Sequence, residues 1–176
     1  LSWVGRGPLY TLRSAETASF APALDGLALM GAFYLNELIL NFLRRSDPHP
    51  GLFIGYSQAL AELRVGGDPE PALRRFEYQL LGEVGYGLNL DQDVLNDVPL
   101  DPAAIYEYRL EQGPVPAAMG GGGLTFSGAE LLAIGRHEFS SPAILRLAKK
   151  LFRAVLAHYL DGRTLKTREV MASMRR

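Results

Sequence analysis

The chain has 176 residues, 48% of them apolar, and a net charge of −1, which allows one core of ordinary size and gives no overall field to draw it to nucleic acid. It has no cysteine, so disulfides and thiolate zinc sites are excluded. The charge is unevenly placed: residues 136–176 carry 10 Lys and Arg against Glu138, Asp161 and Glu169, a net of +7, and the remainder carries 8 against 16, a net of −8.

The first phrase, LSWVGRGPLYTL, opens without a Met and reads as strand from something larger, so the natural protein is expected to extend further towards its N-terminus. Trp3, Val4, Leu9 and Leu12 alternate loosely around Gly5 and Gly7, which suits one or two strands and a turn. Two strands alone make no stable sheet. They belong either to the end of a further domain or against the helices that follow.

Residues 25–45 predict a long helix with Asp25 at its N-cap. It is apolar on nearly every side, yet Asn36, Glu37 and Asn41 interrupt it and Arg44-Arg45 close it. A carboxylate in mid-span is unfavourable in lipid. The expectation is therefore the central, all-round buried helix of a bundle, with no membrane span. Leu52, Phe53, Tyr56, Leu60 and Leu63 then follow helical spacing to about Arg64, and GGDPEP breaks the chain.

The third helix, PALRRFEYQLLGEV, starts on Pro71 and ends at Gly85, the glycine of a left-handed C-terminal stop. At about 100° per residue, Leu73, Phe76, Leu80 and Val84 form the buried stripe. Arg74 falls on its margin, Arg75 faces solvent, and Glu77 falls inside it. A buried carboxylate needs a partner. Two readings stay open for Arg74: an internal pair with Glu77, or a guanidinium laid on apolar surface to grip an anionic ligand.

Residues 91–126 alternate prolines, aspartates and glycines around the short strand IYEYR and predict one or two irregular hairpins. The glycine run 120–123 is no phosphate loop, because no Gly-Lys-Ser/Thr follows it. Ser127 and Glu130 form a capping box for a helix to about Arg136, and Ser141-Pro142 opens the last long helix, 142–160. On that helix Ala148, Leu151 and Val155 lie inward with Ile144, while Arg146, Lys149, Lys150 and Arg153 share the opposite face with no acid among them. That is either a solvated face or a surface for an anionic partner. Arg163, Lys166 and Arg168 extend the positive charge.

Catalytic and metal motifs are missing. His49, His137 and His158 lack ligand spacing. The aspartates 91, 93, 97 and 101 lack the Gly and closing Glu of a calcium loop. No nucleophile elbow or nucleotide fingerprint is present. The sequence predicts a binding protein, not an enzyme, with no cofactor.

Four ordered phrases, GRGPLYTLRSAE, YLNELIL, PEPALRRFEYQLLGEVGYGLNL and LKTREV, resemble the RecO family of bacterial recombination mediator proteins over essentially the whole chain. The resemblance implies a mainly α fold. Residues 1–20 would be the last strands of an OB-fold β-barrel, 21–90 and 127–176 a helical bundle domain, and 91–126 a β-hairpin insertion. That insertion stands where many relatives carry a four-cysteine zinc finger, and without cysteines it holds no zinc here. The implied activity is a mediator's: binding single- and double-stranded DNA, annealing strands, partnering RecR, and helping load RecA onto strands coated by single-stranded-DNA-binding protein (SSB). It also implies recognition of the acidic, Phe-terminated SSB tail by the helical domain, and a cytoplasmic, nucleoid-associated place. On that basis Arg74, with Arg75, Leu73 and Phe76, is the expected tail site. Arg146, Lys149, Lys150, Arg153, Lys166 and Arg168 are the expected contacts to DNA or another anionic partner. The alternative is a helical docking scaffold whose basic face meets an acidic protein.

Overall fold

The computed structural model describes residues 1–6, 9–16, 23–118 and 123–173; Gly7 and most of the glycine run at 120–123 lie outside them. The fold is mainly helical with small sheets. Strands β1 (Ser2–Val4) and β2 (Thr11–Ser14) pair antiparallel, with Trp3 opposite Leu12. Every described residue of this hairpin is exposed, so it is not packed on the helices.

Helix α1 (Gly26–Phe42) is followed by α2 (Pro50–Val65) and α3 (Glu70–Glu83). Asp25 and Ser141 stand at N-cap positions, but neither side chain makes the capping bond. Glycines let α2 and α3 approach closely. A Cβ at Gly51 or Gly55 would overlap the side chains of Glu83 or Gln79, and the Gln79 amide instead donates to the Gly51 carbonyl at 2.9 Å. Helix α3 ends as its glycine predicts: Gly85 has φ +83°, Tyr86 N–H donates to Leu81 O at 2.7 Å and Gly85 N–H to Gly82 O at 3.2 Å.

The chain then forms the short pair β3 (Gln92–Asp93) and β4 (Val98–Pro99), followed by a three-stranded antiparallel sheet. Its order is β6 (Gly113–Pro116), β5 (Ile105–Arg109), β7 (Thr125–Ser127). The segment after the glycine run thus returns to pair with β5. Leu90, Leu100, Tyr106, Tyr108 and Phe126 enter the same apolar cluster as the helices. Helices α4 (Gly128–Gly135), α5 (Pro142–Tyr159) and α6 (Lys166–Ser173) complete the fold. The Ser127–Glu130 capping box is formed in both directions.

One expectation is corrected. Helix α1 is not buried all round: Gly31, Ala32, Tyr34, Leu35 and Leu38 face the core, while Leu29, Phe33 and Leu40 remain exposed. Its partners α2, α3 and α6 cover only one side of it. The central place belongs to α3, which packs on α1, α2 and α5. The polar residues within α1 are engaged in the fold. Asn36 accepts from the Tyr56 hydroxyl at 2.7 Å, Asn41 donates to Glu37 O, and Glu37 holds α6. Among the described residues no helix is long and apolar enough to cross a membrane.

Candidate anionic-partner interface

Helix α3 carries the two adjacent arginines in opposite environments. Glu77, inside the apolar stripe, is fully buried, and Arg74 is only 4% exposed. The Arg74 guanidinium donates to Glu77 Oε1 at 2.6 Å and lies 3.9 Å from Glu70 Oε2. The internal pair, one of the two readings of the sequence, is the one this geometry holds. Arg74 does not reach the surface because α1 and α5 close over it: Tyr34 of α1 donates to Glu77, and Lys149 of α5 pairs with Glu70. Burial pushes the Glu77 carboxyl up, against the pull of Arg74 and Tyr34. Burial also opposes the charge on Arg74, but Glu77, Tyr34 and Glu70 together outweigh it and hold the guanidinium above its ordinary value.

Arg75 points outward, as its place on the wheel predicts. It pairs with Glu62 of α2 and stays 40% exposed. It stands between two depressions. One, of about 290 Å³, lies under the α2–α3 turn between Glu62, Val65, Pro69 and Ala72. The other is an open groove of about 670 Å³ lined by Gln58, Arg75, Tyr78, Gln79, Glu83 and His137. Leu73 and Phe76 are core residues beneath this surface and line neither depression.

The cations of α5 also divide. Arg146, Lys150 and Arg153 are exposed, and among the described residues none of them has an ion-pair partner. Lys150 lies over the Phe126 ring, 5.4 Å from its centroid. Lys149 is turned inward to Glu70. Beyond α5, Lys166 is exposed, but Arg168 is half-buried with its guanidinium donating to the Tyr34 hydroxyl at 2.9 Å. Arg163 bridges two helix ends, donating to Leu160 O at 3.0 Å and to Asn41 O at 3.4 Å.

The sequence reading missed α6 and its anchor. Glu37 of α1 accepts from Lys166 N–H at 2.7 Å, Thr167 N–H at 3.0 Å and the Thr167 hydroxyl at 2.6 Å, so a carboxylate from another helix caps α6. The one available signal was Glu37 itself, a charge within an apolar helix. Among the described residues no group of three or more His, Asp or Glu side chains is placed to hold a metal ion.

The candidate interface is thus a set of solvent-facing cations: Arg75 at one groove, and Arg146, Lys150 and Arg153 on α5.

Comparison with known proteins identifies the family. The family model described as "Recombination protein O C terminal" matches residues 23–169. "DNA repair protein RecO" of Photobacterium profundum is 42% identical over 170 residues, covering 97% of this chain and 72% of that protein. The protein of the same name from Methylococcus capsulatus is 42% identical over 173 residues, covering 98% of this chain and 71% of its own length. That from Nitrosospira multiformis is 40% identical over 173 residues, covering 97% and 72%. The chain belongs to the RecO family of DNA repair proteins.

Proposed function

We propose that this chain is the helical part of a recombination mediator that binds without turnover. It holds DNA phosphates on the outer face of α5 and receives the acidic, Phe-terminated tail of SSB beside Arg75. The observation that carries the DNA reading is the unopposed set Arg146, Lys150 and Arg153 on one helix face, with Lys166 beyond it. Exposed cations with no ion-pair partner among the described residues, carried on one helix face, are what a phosphate backbone needs. Arg75 is the one of the two arginines on α3 that offers its charge to solvent, so it takes the part of tail receptor, while Arg74, Leu73 and Phe76 support it from beneath. Strand annealing, partnership with RecR and loading of RecA belong to the same proposal, as does a cytoplasmic, nucleoid-associated location.

A second reading is favoured by one observation. Leu29, Phe33 and Leu40 of α1 and Phe53 of α2 are exposed around the Tyr56–Asn36 hydrogen bond, an apolar surface of the kind that docks protein. On that reading the chain is a docking scaffold and its basic face meets an acidic protein. Salt separates the two. Single-stranded DNA binding should weaken with a log–log slope of about −0.7 per phosphate engaged. Apolar docking should be nearly flat. Fluorescence anisotropy of a labelled oligonucleotide across a salt series decides it, and saturable binding with no salt slope would remove the DNA reading.

A further inference from the structure

The open groove beside Arg75 contains a titratable group that this reading leaves unused. His137 lies at the corner after α4 with φ +58°, a left-handed conformation held by its N–H to Ile134 O at 3.0 Å and by Phe139 N–H to its own carbonyl at 2.7 Å. Its ring meets Tyr78 edge-on, 4.7 Å between centroids, and stacks on Phe139 at 5.5 Å. The imidazole is therefore fixed on the groove wall by its backbone and by two aromatic contacts. Its Nε2 is buried and meets no hydrogen-bond partner among the described residues.

The charges around it are few. Arg75 of α3 shares the groove and is itself paired with Glu62 of α2. Glu83 of α3 lies on the same wall, with His49 3.6 Å from it. Arg136 and Glu138, the chain neighbours, are 4.0 Å from each other. Tyr78 contributes its ring and Phe139 carries no charge. Burial and the nearby Arg75 both disfavour the imidazolium, so His137 is held below the ordinary histidine range and is neutral near pH 7.

We propose that His137 is a conditional second cation of this groove: it takes up a proton when a peptide carboxylate seats beside Arg75, so that anion binding tightens as the pH falls. The inference rests on the tail-binding reading above. An incoming carboxylate offsets the repulsion from Arg75 and gives the imidazolium a counter-charge. Tyr78 and the open backbone at Gly82 leave room for a terminal apolar side chain, and Gln58 lines the α2 side. Because binding and protonation favour each other, affinity rises with proton concentration by at most about tenfold per pH unit.

The test uses a synthetic acidic peptide ending in Phe with a free carboxylate, titrated into the chain between about pH 8 and pH 6, a window in which histidine titrates and peptide carboxylates do not. NMR follows the His137 ring proton with and without saturating peptide. The expected result is an upward move of the His137 titration on binding, with an affinity gain of about three- to tenfold across the window. His137→Gln should bind with no pH dependence at the weak, high-pH affinity, and His137→Arg with none at the tight, low-pH affinity. A peptide that binds while leaving the His137 titration unmoved overturns this inference and leaves the tail-binding reading standing, as does an equal pH gain in His137→Gln. Absence of peptide binding at every pH, in a chain shown to be folded, overturns both.

Discussion

Arg168 on α6 donates to the Tyr34 hydroxyl on α1 at 2.9 Å, and its guanidinium lies over the same ring, 5.4 Å from the centroid. Tyr34 in turn donates to Glu77 on α3, which also receives Arg74. The direction of this chain is fixed by chemistry. Burial, and next to it the Glu77 carboxylate, hold the Tyr34 hydroxyl far above the ordinary phenol range, so it keeps its proton and must donate. Helix α6 is therefore tied to the middle of α3, although the two are far apart in sequence.

Removing the outer end of that chain should loosen α6 without unfolding the bundle. Arg168→Ala deletes one hydrogen bond and a cation–ring contact at a half-buried site and leaves the Glu37 cap in place. Hydrogen exchange at the amides of α6 should speed up while exchange in α3 is unchanged. Tyr34→Phe is the contrasting variant. It takes a hydroxyl from the fully buried Glu77 and should cost about 1–3 kcal/mol in denaturant unfolding.

The Arg74–Glu77 pair predicts strong non-additivity. Arg74→Ala leaves a buried carboxylate with only Tyr34 and should destabilise by about 3–5 kcal/mol. At about 2–4 °C per kcal/mol for a domain of this size, thermal melting would show the loss clearly. Glu77→Ala strands the guanidinium and should be similar. The double variant should lose much less than the sum, because neither charge is then left unpaired. Additive losses would mean that the two charges are solvated independently.

What the sequence made legible was local. Glu77 shares a wheel position with Leu73 and Leu80, so its need for a partner could be read, and Arg74 one turn away was the nearest cation. Gly85 and the Ser127–Glu130 box are short-range devices whose chemistry is complete within a few residues. The docking of α6 was not readable, because Glu37 and Thr167 meet only after the whole bundle is assembled. The exposed face of α1 was misjudged for a related reason: an apolar composition does not say how many neighbours arrive to cover it. Sequence periodicity put Lys149 and Arg153 on one outer face. The structure separates them because Glu70, at the start of α3, lies within reach of one and not the other.

Glu37 should give α6 an acid limit. Burial would raise its pKa, but the hydrogen bonds from the Thr167 hydroxyl and from the Thr167 and Lys166 amides outweigh this and hold it below the usual glutamate value. A depressed carboxylate stabilises the fold above its unfolded pKa, near 4.5, and that contribution is lost as the pH falls through the lower folded value. The amide protons of Lys166 and Thr167 should therefore titrate together at a pH below 4.5, with α6 released at the acid end. Glu37→Gln should abolish the titration and weaken the cap at neutral pH by about 0.5–2 kcal/mol, the usual range for a helix cap.

Gly128 and Gly55 should respond differently to the same added methyl. At Gly128, the first residue of α4, a Cβ would overlap the Asp101 carbonyl and approach Pro102 Cα at 3.2 Å, all backbone. Gly128→Ala must push the Asp101–Pro102 turn that leads into β5 away from the helix and should cost at least about 1–3 kcal/mol. At Gly55 the obstacle is the end of the Gln79 side chain, which can rotate away. Gly55→Ala should cost less in the same unfolding assay, and the opposite order would contradict this packing.

Lys149 and Arg153 separate stability from DNA binding on a single helix. Lys149 Nζ is engaged with Glu70 beside the Arg74 network, whereas Arg153 is exposed and has no ion-pair partner among the described residues. Lys149→Ala should lower thermal stability, because Glu70 loses its direct partner at a half-buried site, and should change oligonucleotide affinity little. Arg153→Ala should leave melting unchanged, weaken oligonucleotide binding, and reduce the salt slope by about 0.7, one phosphate contact on single-stranded DNA. Combining Arg146→Ala with Arg153→Ala should reduce it by about 1.4. If both variants lowered affinity with no change in slope, the face would be acting through packing or protein contact, and the docking-scaffold reading would take precedence.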